Sequence, residues 1–371
     1  MRIGCPREIK NREYRVGLTP ESATELVAHG HEVWIESGAG EGIGAHNEEY
    51  EAAGAKIVAG PEPIFAECEM VVKVKEPQPE ERAQLREGQL LYTYLHLAPD
   101  PEQTADLVKS GATCIAYETV TGPNRTLPLL KPMSQVAGRM SIQAGATALE
   151  KAHGGRGVLL GGVPGVMPGK VVVIGGGVVG FNAAQMAAGL GADVVIMDRD
   201  PEVLERVGTH FEARASTRFS NKANLEDAVR EADLVIGAVL VPGAAAPRLV
   251  TRAMLKTMKP GAVLVDVAID QGGCFETSHA TTHDDPTYVV DGVVHYCVAN
   301  MPGAVSRTST YALNNVTLPH ALRIADRGWK EALRSDPHLA QGLNVHAGRV
   351  TYPAVAEELG YDLLPVGEVL G

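Results

Sequence analysis

The fold of this chain is decided by residues 170–180, which read KVVVIGGGVVG. The β-branched run 171–174 predicts a buried strand, and the glycines after it have the spacing G-x-G-x-x-G. Gly175 permits a tight turn, Gly177 lets the backbone approach a pyrophosphate, and Gly180 lets a helix pack closely on the strand. Because the first N–H groups of that helix are unpaired, they favour phosphate. The stretch therefore predicts a dinucleotide-binding turn.

An acid at the end of the next predicted strand strengthens this interpretation. Residues 192–198 read ADVVIMD, and Asp198 follows the last glycine at about 20 residues. A carboxylate there binds the 2′-OH of an adenosine ribose and repels a 2′-phosphate, so NAD is favoured over NADP. Asp198 could equally cap a helix near Pro201. A glycine-rich turn that binds nothing is the other alternative, but it requires the spacing and the acid to coincide by chance.

Short apolar runs alternate with amphipathic stretches, a pattern typical of parallel sheets with crossover helices. Thr19 is expected to cap a helix that starts at Pro20 and ends near Gly30. The predicted strands are 70–74, 90–95, 114–118, 171–174, 194–197, 234–236 and 263–267. The predicted helices are 134–152, 306–327, 328–335 and 353–359.

Composition limits the function classes. The 371 residues suggest two domains, and a net charge of −12 without a basic run argues against a nucleic-acid partner. We expect no membrane partner, because no long apolar run is free of charge and proline, and no secretory signal at the N-terminus. Five widely spaced cysteines without a CxxC pair predict free thiols in a reducing cytoplasm and no metal site.

Four residues outside the glycine turn lie where chemistry is expected. Lys75 and His96 follow predicted strands, Asp270 follows another in a glycine-rich turn, and Arg15 precedes the Thr19 cap. Arginine binds a carboxylate with two parallel hydrogen bonds, and a lysine ammonium polarises a carbonyl. Histidine transfers protons near neutral pH, and an aspartate can accept one from water.

Each of these four residues also has an ordinary interpretation. Arg15 could be a surface arginine, and Lys75 a lysine that extends from a strand end into solvent. His96 could be partly buried and bonded to a backbone carbonyl, and Asp270 could cap its own turn. Because Lys75 and His96 each follow a predicted strand in the same αβ region, a functional role is favoured for both.

Together with the segments below, these residues resemble the alanine dehydrogenase family over essentially the whole chain. The segment 266–276, DVAIDQGGCFE, is the most specific match. The other segments are PREIK (6–10), RVGLTP (15–20), VKVKEP (72–77), YLHLA (94–98), PMS (132–134), the glycine-rich run 161–180 and VANMPG (298–303). The NAD-binding component of proton-translocating transhydrogenase and saccharopine dehydrogenase match these motifs less completely.

The resemblance implies an α/β fold of two domains with a cleft between them. A Rossmann-type NAD domain, 131–304, would be inserted in a discontinuous αβ substrate domain, 1–130 plus 305–371. It implies a cytoplasmic oxidoreductase, an NAD-dependent amino-acid dehydrogenase that reversibly deaminates L-alanine to pyruvate and ammonium. It also implies a homo-oligomer, usually a hexamer.

The resemblance assigns roles to individual residues. His96 and Asp270 would be the catalytic acid/base groups. Arg15, Lys75, Met133 and Asn300 would contact or lie near the substrate. The cofactor would contact Ser134, Gly175, Gly177, Val178, Val179, Gly180, Asp198, Ser220, Val239, Leu240, Val267, Asp270 and Met301. Val203, at a position that is often Lys or Arg, and Phe181, where a small polar residue is usual, depart from the family pattern.

Two alternatives remain open at this point. A saccharopine-type or opine-type dehydrogenase would join an amino acid to a keto acid and would require a roomier pocket. A non-catalytic NAD-binding component of transhydrogenase would need neither Lys75 nor His96. That alternative also predicts a C-terminal extension toward membrane segments, which we do not expect after Gly371.

Overall fold

The structure is a computed structural model that describes residues 1–239 and 246–371. The chain forms two compact units, each with its own sheet. The first unit consists of Met1–Met133 and Gly303–Gly371, and the second of Ser134–Pro302.

The strands are named in chain order. They are β1 (Arg2–Cys5), β2 (Glu32–Glu36), β3 (Lys56–Val58), β4 (Met70–Val72), β5 (Leu90–Thr93), β6 (Thr113–Ala116), β7 (Lys170–Ile174), β8 (Asp193–Asp198), β9 (Ser216–Phe219), β10 (Leu234–Gly237), β11 (Val263–Asp266), β12 (Thr287–Val290), β13 (Val293–Tyr296), β14 (Leu343–His346) and β15 (Arg349–Val350).

The α-helices are named in the same way. They are α1 (Pro20–Ala28), α2 (Asn47–Ala52), α3 (Glu62–Glu67), α4 (Pro79–Arg82), α5 (Pro101–Ser110), α6 (Lys131–Ala148), α7 (Val178–Gly189), α8 (Pro201–Phe211), α9 (Lys222–Glu231), α10 (Arg252–Leu255), α11 (Ser306–Arg327), α12 (Trp329–Ser335), α13 (Pro337–Ala340), α14 (Pro353–Leu359) and α15 (Val366–Leu370).

The first unit contains an eight-stranded sheet in the order β15-β14-β6-β5-β4-β1-β2-β3. Strands β1 to β6 pair in parallel, whereas β14 is antiparallel to β6 and β15 is antiparallel to β14. The strand order reverses between β1 and β4. In open α/β sheets, ligands bind beyond the carboxyl ends of the strands at such a reversal.

The second unit contains a seven-stranded sheet in the order β12-β13-β11-β10-β7-β8-β9. Its strands are parallel except for β12 at the edge, and the order reverses between β7 and β10. This is the doubly wound order of a Rossmann-type sheet, so the predicted α/β class is confirmed.

Both faces of the second sheet are buried, which explains its apolar strands. In β7, Val171 and Val173 pack in the core on one face, whereas Val172 and Ile174 pack in the core on the other. Alternate residues of a strand point to opposite faces, so a strand covered on both sides reads as a continuous apolar run.

Several strands and helices end at residues other than those predicted from the sequence. Strands β4 and β5 stop before residues 74 and 95, because the N–H groups there donate to carboxylate side chains instead of a neighbouring strand. The strand predicted over 114–118 ends at Ala116, and Glu118 lies in a 3-10 turn, Tyr117–Thr119. The helix predicted over 134–152 is α6, and a separate 3-10 turn follows it at Lys151–His153.

Other expectations about local structure are confirmed. Thr19 caps α1, since its hydroxyl accepts the N–H of Ser22 at 3.2 Å, and Gly30 beyond the helix has a φ of 84°. The five cysteines are free and buried. Separately from these expectations, no helix within residues 1–239 and 246–371 has the length and hydropathy needed to span a bilayer.

Candidate functional site

The glycine turn lies at the carboxyl end of β7. Gly175 has a φ of 104°, which favours glycine, and Gly177 is the N-cap of α7. A Cβ on Gly180 would lie 1.7 Å from the Gly175 carbonyl oxygen, so close packing requires this glycine. Apart from its own neighbours in the chain, no described atom lies within 4 Å of a Cβ on Gly177. Packing therefore does not require glycine at 177, and the turn fits a pyrophosphate at the helix N-terminus.

Asp198 ends β8 and holds the glycine turn. Its Oδ2 accepts the backbone N–H of Gly176 at 2.7 Å, and its Oδ1 accepts that of Asp200 at 3.0 Å. Helix α8 is capped by Asp200, whose carboxylate accepts the N–H of Glu202 at 2.9 Å. The alternative that Asp198 caps this helix is therefore wrong.

Other predicted cofactor contacts surround the carboxyl ends of the same sheet. The N–H of Ser220 donates to the Asp198 carbonyl at 2.8 Å, and that of Val267 donates to the Gly237 carbonyl at 3.0 Å. Val239 follows β10 by two residues. Leu240, another predicted contact, lies outside the described residues.

The remaining predicted cofactor contacts, and the predicted substrate residue Asn300, lie on helices or in loops of the second unit. Val178 and Val179 form the first turn of α7, and Ser134 is half-buried on α6. Asn300 has a φ of 59°, and its carbonyl oxygen accepts from His283 Nε2 at 3.3 Å. Met301 is buried at the start of a 3-10 helix.

The loop after β11 separates two aspartates with different environments. Asp266 is fully buried and accepts hydrogen bonds from Ala268, Cys274 and Phe275 N–H and the Ser278 hydroxyl. Burial raises its pKa, although these four donors oppose the shift. Asp270 is exposed in the 3-10 turn Ile269–Gln271 of the same loop. Asp266 is thus structural, and Asp270 is the accessible carboxylate.

Arg15 is buried, with 2% of its surface exposed, so its interpretation as a surface arginine is wrong. Its Nε and Nη2 each donate to a Glu13 carboxylate oxygen at 2.6 Å, and its Nη1 lies 3.1 Å from Met133 Sδ. Burial alone would lower the pKa of Arg15, but the hydrogen bonds and charge of Glu13 raise it. The guanidinium is therefore charged, and two predicted substrate residues, Arg15 and Met133, are in contact.

Lys75 lies in the loop after β4, beside the reversal of strand order. Glu8, which follows β1, accepts the backbone N–H of Val74 at 2.6 Å and that of Lys75 at 3.3 Å. The Lys75 ammonium lies 3.9 Å from Glu76, which also pairs with Lys10. Burial alone would raise the pKa of Glu76, but the two ammonium groups lower it below its ordinary value.

A buried ion triad supports this loop. The fully buried Lys73 lies 3.1 Å from Glu8 and 2.7 Å from Glu81. Burial alone would lower the pKa of Lys73, but the two carboxylates raise it, so the ammonium is retained. Sequence reasoning missed this triad, although a lysine between Val72 and Val74 in an apolar run signals a buried charge.

His96 lies in the loop after β5 and is exposed, so its interpretation as a partly buried histidine is wrong. Its backbone N–H donates to Glu118 at 2.6 Å. The rings of His96 and Tyr94 are nearly parallel, 8° apart, with centroids separated by 5.8 Å. In the first unit the loops after β4 and β5 thus carry a lysine and a histidine at adjacent strand ends.

The second sheet has the doubly wound order, a glycine turn at the reversal of that order and an acid at the end of β8. These features define a Rossmann-type protein of the dinucleotide-binding class. Family models identify it further. The alanine dehydrogenase/PNT N-terminal domain matches residues 4–137, and the C-terminal domain of the same family matches residues 141–353. The chain belongs to the alanine dehydrogenase/PNT family.

Individual relatives match along the full chain. The alanine dehydrogenase of Halomonas elongata is 60% identical over 371 residues, covering 100% of both chains. That of Bacillus subtilis is 58% identical, covering 100% of this chain and 98% of its own. A solved L-alanine dehydrogenase superimposes with a TM-score of 0.94 at 55% identity, covering 100% of both chains. A transhydrogenase from Sinorhizobium meliloti gives a TM-score of 0.82 at 26% identity over 95% of this chain and 100% of its own.

Proposed function

We propose that this chain catalyses the reversible, NAD-dependent oxidative deamination of L-alanine to pyruvate and ammonium. The observation that carries the proposal is the full-length likeness to alanine dehydrogenases, which reaches 60% identity. The likeness to the transhydrogenase structure is 26%. The likeness therefore favours an alanine dehydrogenase over the transhydrogenase component.

The second unit would bind NAD, which when bound supplies the hydride acceptor. Gly177 and the N-terminus of α7 fit the pyrophosphate, because a methyl group at 177 would meet no described atom and the helix start favours anions. The Asp198 carboxylate fits the 2′-OH of the adenosine ribose and disfavours a 2′-phosphate. The glycine turn fits the pyrophosphate of either cofactor, and the Asp198 carboxylate favours NAD over NADP.

The first unit would bind the substrate. Arg15 is charged, as arginine is throughout the working pH range of proteins, and a guanidinium binds the carboxylate of alanine or pyruvate. The Lys75 ammonium would polarise the carbonyl oxygen of pyruvate. The chain has a net charge of −12, so an anionic substrate would depend on these two cations, each of which also lies beside a carboxylate of the first unit, Glu13 or Glu76.

Proton transfer would fall to His96 and Asp270. His96 would exchange a proton with the substrate oxygen and nitrogen as alanine is converted to pyruvate, since imidazole exchanges protons near neutral pH. Asp270 would accept a proton from the attacking water. Both side chains are exposed, so they can reach a substrate.

The decisive experiment follows NADH oxidation with pyruvate, with and without ammonium. Ammonium-dependent oxidation is expected, and 2-oxoglutarate with lysine should not replace pyruvate with ammonium. In the His96→Ala variant, turnover should fall by about 100-fold or more while NADH binding by calorimetry stays within about twofold. NADH oxidation at the same rate with and without ammonium would contradict the proposed reaction. A fully active His96→Ala variant would contradict the role of His96.

The proposal extends to assembly as a homo-oligomer, a hexamer by family resemblance. Four apolar side chains of residues 158–169 are more than half exposed in the single chain: Leu159, Val163, Val166 and Met167. Exposed apolar side chains that lie close together mark interaction surfaces. Light scattering should give a multiple of the 39.2 kDa chain mass, and a mass of one chain would contradict assembly.

A further inference from the structure

His96 has an unusual backbone conformation. Its φ is 51°, in the left-handed region that few residues other than glycine adopt. A strained conformation of this kind persists only where the surrounding structure holds it. Neighbouring groups must therefore fix the backbone at His96.

Glu118 is the group that holds this backbone. Its Oε1 accepts the N–H of His96 at 2.6 Å, and both of its carboxylate oxygens lie 3.2 Å from the N–H of Leu95. Successive backbone N–H groups around a left-handed residue form a concavity that binds an anionic group. The carboxylate of Glu118 lies in this concavity.

The topology explains why Glu118 can reach His96. Strands β5 and β6 pair in parallel, with Thr93 opposite Ala116, so the segments that follow them leave the sheet at the same end. Glu118 lies in the 3-10 turn directly after β6, and His96 lies three residues after β5. The contact therefore joins adjacent strand ends.

The same segment is fixed from its other side. The Leu95 carbonyl accepts from Nε2 of the fully buried Gln103 at 2.6 Å, so side chains satisfy both polar groups of this peptide unit. The Tyr94 hydroxyl donates to the Leu129 carbonyl at 2.7 Å. The orientation of the peptide unit that precedes His96 is therefore held by Gln103 at its carbonyl and by Glu118 at its N–H.

We propose that Glu118 is a positioning residue for His96, holding it in the left-handed conformation that aims its ring for proton transfer. The inference rests on the proposed function, in which His96 is the acid/base group. Glu118 would act through His96, because its oxygens bind backbone N–H groups of this loop. Its loss should therefore lower kcat more than it raises the KM for NADH.

Graded substitutions separate this role from a general effect on stability. Glu118→Ala removes both acceptor oxygens, whereas Glu118→Gln keeps one oxygen that can accept the His96 N–H. Glu49 provides a matched control, because its carboxylate accepts the backbone N–H of His46 at 3.0 Å at the start of α2, in the same unit. Glu49→Ala should therefore lose a comparable contact without affecting His96.

The test measures pyruvate amination and hydrogen exchange in the full-length chain. Glu118→Ala should lower kcat by about 100-fold, the effect of a misplaced catalytic group, with the KM for NADH within about twofold. The kcat of Glu118→Gln should lie between those of Glu118→Ala and the wild type, and the kcat of Glu49→Ala should equal the wild-type value. Exchange of peptides covering 94–97 should rise in Glu118→Ala and stay unchanged in Glu49→Ala.

Two results would overturn the inference. One is a wild-type kcat in Glu118→Ala, and the other is exchange raised equally across the first unit, which would indicate general destabilisation. Failure of the proposed function has a different signature, namely a wild-type chain without ammonium-dependent turnover. In that case the exchange measurement still tests whether Glu118 holds the His96 backbone.

Discussion

The carboxylate of Asp198 accepts the backbone N–H of Gly176 at 2.7 Å, and this contact joins the end of β8 to the glycine turn. The other backbone polar group of Gly176 is also bound, since Arg206 donates to its carbonyl at 3.1 Å. One acid therefore supports the turn and is also the group proposed to bind the ribose hydroxyl.

Replacing Asp198 with alanine should weaken NADH binding and reduce discrimination against NADPH. Hydrogen bonds to charged groups contribute about 1.5–3 kcal/mol, so the Kd for NADH should rise about tenfold or more in calorimetry. Asp200→Ala is the control, because it removes the α8 cap and should cost about 1 kcal/mol of stability without affecting affinity. Unchanged NADH affinity in Asp198→Ala would contradict this role.

Two glycines of the turn should respond differently to alanine. Gly180→Ala places a methyl group 1.7 Å from a backbone oxygen, so it should destabilise the unit by about 1–3 kcal/mol or more. In Gly177→Ala the methyl group meets no described atom within 4 Å apart from its chain neighbours, so the melting temperature should change little. Its NADH binding should nevertheless be lost, because the methyl group lies where the pyrophosphate approaches. Normal binding by a folded Gly177→Ala would refute the site.

The buried triad allows stability and substrate binding to be separated. Glu8→Leu and Glu81→Leu each remove one carboxylate from Lys73, and breaking a buried ion pair costs about 3–5 kcal/mol in urea unfolding. Only Glu8 also accepts the Val74 and Lys75 N–H groups, so only Glu8→Leu should raise the KM for pyruvate. Equal KM values in the two variants would show that Glu8 does not position Lys75.

A buried histidine should make the fold sensitive to acid. Burial lowers the pKa of His295, whose Nδ1–H donates to the Val293 carbonyl at 3.0 Å while Nε2 lies 2.8 Å from the Thr277 hydroxyl. Its contribution to stability is complete above the unfolded pKa of about 6.5 and is lost as the pH falls toward the lower folded value.

The melting temperature should therefore fall as the pH drops below about 6.5, and it should fall less in His295→Gln than in the wild type. Burial also lowers the pKa values of His320 and His346, so part of the slope should remain. His153→Gln, at an exposed position, should follow the wild-type curve. Parallel curves for His295→Gln and the wild type would assign the acid sensitivity to other groups.

The sequence predicts the second sheet better than the first. The run 171–174 is apolar throughout because both its faces are buried, and such runs stand out in a sequence. Strands β1 and β3 were not predicted, because charge and glycine leave at most two consecutive apolar residues within each, whereas the predicted β4 has three. Without them, the reversal of strand order beside Lys75 could not be anticipated.

The residues of the candidate site were likewise predicted only in part. Lys75, His96 and Asp270 were found because each follows an apolar run and carries a reactive side chain. Glu8 and Glu118 were missed because their partners lie 66 and 22 residues away, and only the folded sheet brings them together. Glu13 lies two residues from Arg15, so an acid that close to a candidate arginine was a local signal.

The antiparallel pairing of β6 with β14 has a consequence for synthesis on the ribosome. Leu343 pairs with Ile115, so the edge of β6 keeps unpaired N–H and C=O groups until residues 343–346 have left the exit tunnel. The whole second unit is translated in that interval, at about 5–20 residues per second. The unit that begins first during translation is thus completed last, and until then its open edge is available to aggregation partners and chaperones.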